Sequence, residues 1–137
     1  MAYMSQDKKA KIAPVVKAIL KKYGVKGTLS VRHHSTLVLN IKSGSIDFIK
    51  NCNEVCGKDH YQVSRGFQPI KDGHISVNPY HYKSHFNGRA LKCINELLIA
   101  MNAGNHDNSE PQTDYFDVGW WVDVNIGKWD KPYIVER

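Results

Sequence analysis

Apolar residues in the first part of the chain recur at helical spacing. Across residues 5–23 they form one stripe, and most of the lysines fall outside it. Ser5 can cap the start of a helix there, and Gly24 stands where a left-handed residue commonly ends one. Pro14 interrupts the pattern, so it either kinks this helix or begins it. The pattern therefore predicts an N-terminal helix over residues 5–23.

A second amphipathic stripe runs from about Ser84 to Met101. Its wide apolar face predicts a helix packed against a core, and Gly104 fits the C-terminal cap. Residues 44–73 give no comparable pattern. Within them SIDFIKNCNEVC could form a short helix, but glycine and proline breakers from Gly57 onward predict an irregular middle segment.

Four other segments alternate with a period of two, which is typical of strands with one buried face. GTLSVRH and TLVLNIK flank a short HHST turn and predict a hairpin, and HISVNP predicts a short strand. In YFDVGWWVDVNI every second residue is apolar, so residues 115–126 are expected to form one long strand. Asp117 and Asp123 then lie about 20 Å apart on its polar face, too far apart to act as a paired acid and base.

The apolar faces of four strands need to be covered, and two amphipathic helices can cover them. The sequence thus predicts a single α+β domain over residues 1–137. Its expected architecture is a two-layer sandwich, in which an antiparallel sheet of about four strands carries both helices on one face. The composition agrees with a globular domain, since 42% of the 137 residues are hydrophobic.

Two absences narrow the cellular context. No apolar run approaches the ~20 residues that cross a membrane. The first residues also lack the apolar core of a signal peptide. We therefore expect a cytoplasmic protein without a membrane partner.

The positive charge of the chain is concentrated at its start. Residues 1–26 hold seven lysines and one aspartate, whereas the remaining residues hold twelve basic and twelve acidic side chains, so the first segment accounts for the whole net charge of +6. Such polarity can steer the molecule towards an anion, and Lys17, Lys21 and Lys22 are the expected contacts. The alternative is a solvated lysine face that aids solubility.

The face of the sheet opposite the helices is expected to be open. Trp121 is its most informative member, because an exposed tryptophan among polar and basic side chains can anchor a partner or stack on single-stranded nucleic acid. Two alternatives stay open: residues 44–73 could fold over Trp121, or neighbouring aspartates could repel phosphate. The other expected members of this face are Ser30, Arg32, Val38, Asn40, Lys42, Ser76, Asn78, Asp123 and Asn125. Among them Arg32, Asn40 and Lys42 are expected to contact the partner together with Trp121.

One polar region carries side chains suited to a hard cation or to acid–base chemistry, namely His106, Asp107, Asp114 and Asp117. Turn formation is the alternative, because loops also use aspartate to make turns. The chain has no phosphate loop, dinucleotide fingerprint or nucleophile elbow. We expect no cofactor and assign no catalytic residue.

Sulfur and histidine groupings give weaker signals. Cys52, Cys56 and His60 have C-x3-C-x3-H spacing, which could contribute ligands to a zinc site. The alternative is that the two thiols are buried and the histidine lies on the surface. His81 and His85 have the spacing of a two-histidine metal face, but the glutamate of the hydrolytic motif is missing. Three cysteines without a secretion signal argue for thiols rather than a disulfide framework.

Two blocks of the sequence carry a resemblance. KAILKKYGVKGTLSVRHHSTLVLNIKSG, over about residues 17–44, and DYFDVGWWVDVNIGKWDKPY, over residues 114–133, resemble small proteins of bacteriophages and conjugative elements. They are also similar to an uncharacterised domain attached to large polyvalent proteins of those elements. The resemblance implies a protein that acts early in a bacterial host and counters host defence, including CRISPR systems. The basic first helix departs from the acidic DNA mimics among such inhibitors.

Together these signals favour a non-enzymatic binding protein from a mobile element, acting on a host defence or nucleic-acid-containing complex. Its expected partner is a host protein, a ribonucleoprotein or nucleic acid itself. The alternative is a metal-assisted hydrolase or nuclease that uses the four polar-region residues. A third hypothesis is a homo-oligomer that buries Trp121 in its own interface.

Overall fold

A computed structural model of the chain describes residues 3–58, 66, 73–77, 79, 82–105, 119–128 and 130–136. These residues form three α-helices and five strands, together with one 3-10 turn. In chain order the elements are α1 (Gln6–Tyr23), β1 (Val25–Arg32), β2 (Thr36–Gly44), α2 (Phe48–Lys58), β3 (Ile75–Val77), the 3-10 turn (Tyr82–Ser84), α3 (Gly88–Met101), β4 (Trp121–Ile126) and β5 (Ile134–Val135).

Helix α1 begins and ends at the residues that can cap it. The Ser5 side chain accepts a hydrogen bond from the Lys8 backbone N–H at 3.1 Å, which satisfies one of the donors at the helix start. Gly24 adopts the left-handed conformation at φ 66°, and its N–H bonds back to the last turn. Pro14 lies inside the helix, so it does not begin it. Pro14 is exposed, and so is Ala10, whose carbonyl loses its helical partner because proline has no N–H.

The hairpin turns at two histidines. His33 and His34 both have positive φ, at 54° and 55°, and the Ser35 N–H bonds to the Arg32 carbonyl at 3.2 Å. Positive φ at both central positions is the signature of a type I′ turn, whose twist matches the flanking strands. Strands β1 and β2 leave this turn as an antiparallel pair.

The sheet is mixed, so the expectation of a wholly antiparallel sheet is wrong. The strand order is β1-β2-β4-β3, and β5 also pairs with β2. Strands β1 and β2, and also β3 and β4, are antiparallel, but β2 runs parallel to β4 and to β5. The reason is that a period of two is identical in parallel and antiparallel strands. A long connection separates β2 from β4 along the chain and, unlike a tight hairpin, permits the parallel pairing.

The short helix considered for SIDFIKNCNEVC is observed, and most of residues 59–73 lie outside the described residues. Phe48, Cys52 and Cys56 repeat every four residues and are buried, so this stretch forms α2. The second predicted helix begins at Gly88 rather than near Ser84, because the 3-10 turn comes first. The predicted strand over 115–126 is observed from Trp121 to Ile126, and its residues 115–118 lie outside the described residues.

One face of the sheet carries the hydrophobic core. Alternate residues of β2 and β4 are buried beneath the three helices as a continuous apolar cluster. The Trp120 ring belongs to it and donates from Nε1 to the Met101 carbonyl at 3.0 Å, which satisfies its buried polar atom. None of the described helices is long and apolar enough to cross a membrane. Principal members of the core are Met4, Val16, Leu20, Leu37, Leu39, Ile41, Phe48, Phe86, Ile94, Leu97, Met101, Val124 and Ile126.

Candidate functional site

A groove separates α1 from β1, which is the strand at one edge of the described sheet. Ala10 and Ala13 lie on the side of α1 that lines the groove. Their side chains end at Cβ and leave space above the strand. Its floor is apolar and includes Leu20, Leu29 and Leu39. The cavity volume is about 410 Å³.

Two further depressions continue this groove around the start of β1. The first, of about 630 Å³, shares Lys17, Leu20 and Gly27 with the groove. The second, of about 600 Å³, shares Lys26 and Lys42 with the first and reaches β5. We call the three together the lysine groove. Its lysines are Lys9, Lys17, Lys21, Lys26, Lys42 and Lys131.

Negative charge is sparse in the lysine groove. Glu136 is the one carboxylate among its described lining residues, and it lies 3.4 Å from the Lys26 ammonium. Five of the six lysines are exposed and Lys9 is partly so. A row of like charges with a single compensating partner creates a positive potential along a concave surface, which attracts anions.

Three of the predicted contact residues meet in the lysine groove, namely Lys17, Lys21 and Lys42. Lys17 and Lys21 are one helical turn apart on α1, and Lys42 projects from the neighbouring strand β2. The start of β1 lies between them, and the local bulge at Lys26 loosens its ladder there.

Lys22, also a predicted contact, is engaged elsewhere. Its ammonium lies 2.9 Å from the Glu96 carboxylate of α3 and 5.2 Å from the Tyr23 ring. The Tyr23 hydroxyl donates to the same carboxylate, and Arg89 lies over the Tyr23 ring at 4.9 Å. The hydrogen bonds from Tyr23 and Lys22 lower the pKa of Glu96, and the bond to Glu96 raises the pKa of Lys22. This cluster ties the end of α1 to α3.

The outer face of the sheet holds the other predicted contacts, and two of them are already bonded within the protein. Arg32 donates to Asp123 at 3.0 Å, and Asn125 donates to Asn40 at 3.2 Å. The Arg32–Asp123 pair crosses β2 beside Val38, which is 4% exposed although it points to this face. The expectation that Val38 is open is therefore wrong.

Trp121 lies on the same outer face and is 42% exposed. Of the remaining predicted members, Ser30 and Ser76 are exposed, and Asn78 lies outside the described residues. The outer face is thus a weaker candidate than the lysine groove, because its charged and amide groups are largely paired with one another.

The metal candidates fall outside the described residues. His106, Asp107, Asp114 and Asp117 all lie there, so the hydrolase hypothesis stays a prediction. His60 and His81 lie there as well. Within the described ranges no group of three histidine, cysteine or carboxylate side chains could hold a metal ion.

The cysteines are buried and none forms a disulfide. Cys52 and Cys56 have their Sγ atoms 3.9 Å apart on α2, and Cys93 lies on α3 within the core. Burial raises the pKa of Cys52 and of Cys93 to about 12, which keeps both thiols protonated at neutral pH.

Sequence reasoning missed the apolar floor of the lysine groove and three of its lysines. Lys9 and Lys26 belong to the basic segment, but Lys131 comes from the far end of the chain and only the β2–β5 pairing brings it near. A usable signal was present in α1, where Ala10 and Ala13 stand at helical spacing between lysines. No protein family model, curated protein or solved structure matches this chain.

Proposed function

We propose that this chain is a non-enzymatic binding protein that holds an anionic partner along the lysine groove. The observation that carries the proposal is the lining of that groove, with six lysines and one carboxylate among its described residues. Lysine is a compact charge on a flexible stem, so a row of lysines suits a run of separate anionic groups on a long partner.

The lining of the groove favours binding over catalysis. Among its described residues there is no histidine or cysteine, and the single carboxylate is paired with Lys26. General acid–base chemistry most often uses such groups, and a serine, threonine or lysine nucleophile is usually activated by one of them placed beside it. Binding of a long anionic partner needs only positive charge and a concave shape, and the lysine groove has both.

The partner we propose is a host defence complex or a nucleic-acid-containing complex in a bacterial host, reached by a protein of a mobile element. The origin in a mobile element is supported by the resemblance of residues 17–44 and 114–133. The anionic character of the partner is supported separately, by the charge of the groove.

Fluorescence anisotropy tests the role of the lysine groove. The labelled probes are a 20-nucleotide single strand, the corresponding duplex and a glutamate-rich peptide, each at 50 mM salt. Wild-type protein is compared with the double variant Lys17→Glu/Lys21→Glu. The matched control is Lys11→Glu/Lys50→Glu, which makes the same change of charge at exposed lysines outside the groove.

We expect at least one probe to bind the wild-type protein and the control alike, and to bind the groove variant about tenfold or more weakly, because two phosphate or carboxylate contacts are lost and two repulsions gained. Equal weakening in both double variants would mean that the effect follows net charge alone, and would reject the groove. Absence of binding by every probe would reject the proposed function.

A further inference from the structure

We infer that the lysine groove takes an extended acidic peptide segment, which adds as a further strand along the free edge of β1. The inference rests on the proposed function, since it names the partner class for the same groove. Three observations support the inference: β1 lies at an edge of the sheet, the groove beside β1 has an apolar floor, and the lysines of the groove are regularly spaced.

The edge of β1 is available for pairing. This strand ends the order β1-β2-β4-β3, and no other described strand pairs with its outer side. Its ladder to β2 is regular from Gly27 to Arg32, after the register shift at Lys26. Six residues at about 3.3 Å each give about 20 Å of straight edge. Backbone N–H and C=O groups along such an edge can pair with a peptide by strand addition.

The groove above that edge provides room for the side chains of an added strand. Strand β1 follows helix α1 after a single-residue turn at Gly24, so the two elements run side by side in opposite directions. Between Gln6 and Leu20 the helix spans about 21 Å, which matches the length of the edge. The apolar floor can receive alternate side chains of a peptide, while Ala10 and Ala13 leave them space.

The charges select an acidic sequence. Lys17 and Lys21 are about 6 Å apart along the helix axis, and Lys9 is about 12 Å from Lys17. The side chains of an added strand that face α1 recur every ~6.6 Å, and this one set can place apolar residues on the floor and carboxylates beside these lysines. On the other side of the edge, Lys26 and Lys42 can receive the remaining acids.

An acidic peptide fits this groove better than two other occupants. A phosphate backbone would use the lysines but would leave the unpaired strand edge and much of the apolar floor without partners. A second copy of this chain would place one row of lysines against another, and like charges facing each other across an interface disfavour association. A peptide can use the edge, the floor and the charges together.

The test uses a panel of labelled eight-residue peptides in which the every-second positions that face α1 carry both glutamate and valine, leucine or phenylalanine, in different orders. Each has a matched analogue that is N-methylated at alternate backbone positions, which removes main-chain donors while keeping every charge and side chain. Binding is measured with wild-type protein, with Lys17→Glu/Lys21→Glu and with Ala10→Phe. The last change fills the groove from an exposed helix position without altering charge.

We expect at least one peptide to bind the wild-type protein. Its N-methylated analogue and the Ala10→Phe variant should each weaken binding about tenfold or more. Hydrogen exchange measured on wild-type protein provides a readout independent of the variants. The bound peptide should slow exchange in the segment covering β1 and leave α2 unchanged.

Three outcomes would overturn the inference. If the oligonucleotide binds through the groove but no peptide does, the proposed function stands and the partner class is wrong. If the N-methylated peptides bind as well as their parents, binding is electrostatic and does not involve strand addition. If β1 becomes protected as protein concentration rises without any peptide, its occupant is a second copy. Failure of every anionic probe would instead remove the proposed function itself.

Discussion

Reversing the charges of Lys17 and Lys21 should flatten the salt dependence of polyanion binding by a calculable amount. A single-stranded oligonucleotide is the suitable probe, because its phosphates release counterions when lysines neutralise them. Each contact contributes about 0.7 to the slope of log K against log[salt]. Of the six groove lysines, Lys26 is compensated by Glu136, which leaves five. The expected wild-type slope is therefore about −3.5.

Losing two of those contacts should bring the slope to about −2.1. Relative to 1 M salt, a slope of −0.7 makes each contact worth about fourfold in affinity at 0.15 M salt. The loss of two contacts should therefore weaken binding by the double variant about 15-fold. Repulsion by the introduced carboxylates adds to this figure. The loss should grow at 50 mM salt, where the same slope gives about eightfold for each contact.

Anisotropy titrations at five salt concentrations between 50 and 300 mM measure the slope directly. Lys11→Glu/Lys50→Glu serves as the control, and circular dichroism melts confirm that each variant is folded. Lys22→Glu makes an informative third variant. It should keep most of the wild-type slope but melt at a lower temperature, since it places a second carboxylate beside Glu96. A wild-type slope shallower than about −1, or equal slopes for the groove variant and the control, would refute the assignment of these lysines to a binding surface.

Three further expectations concern the fold. The hydrogen bond from Tyr23 lowers the pKa of Glu96, so this contribution to stability is present above the ordinary glutamate pKa and fades as pH falls through the lowered value. Glu96→Gln should therefore melt below wild type at pH 7, and the difference should shrink as the pH is lowered below the ordinary glutamate pKa. A difference independent of pH would contradict this. Tyr133 donates to the Ile46 carbonyl at 2.6 Å in a buried setting, so Tyr133→Phe should lower the free energy of unfolding in urea by about 1 kcal/mol, whereas no change would mean that water replaces the bond. Burial raises the pKa of Cys52 to about 12. An aromatic disulfide reagent at pH 8 should therefore label this thiol far more slowly in native protein than in urea. Equal labelling rates would show that α2 opens readily.

Several elements were determined by local sequence alone. Helix α1 was predictable because its stripe, its Ser5 cap and its Gly24 cap all act within a few residues of one another. The hairpin was predictable because two alternating segments flank a short polar turn. The apolar alternation leading into Ile126 likewise marked β4, since side chains on a strand alternate between its two faces whatever the strand pairs with.

Other features depended on the tertiary structure. Alternation does not encode strand direction, so the parallel pairing of β2 with β4 could not be read from it. Nor could the sequence place β1 at the edge of the sheet, where its outer side and the α1 groove become available together.

The basic segment, residues 1–26, also combines features that the sequence determines with features that depend on the fold. Its charge was evident from the sequence, but the sequence treated Lys17, Lys21 and Lys22 alike. The fold separates them, because the position of α3 brings Glu96 to Lys22 and the pairing of β5 brings Lys131 towards Lys42. Caps, turns and periodicity depend on neighbours in the chain, whereas a groove, an ion pair or a sheet edge depends on which distant segments pack together.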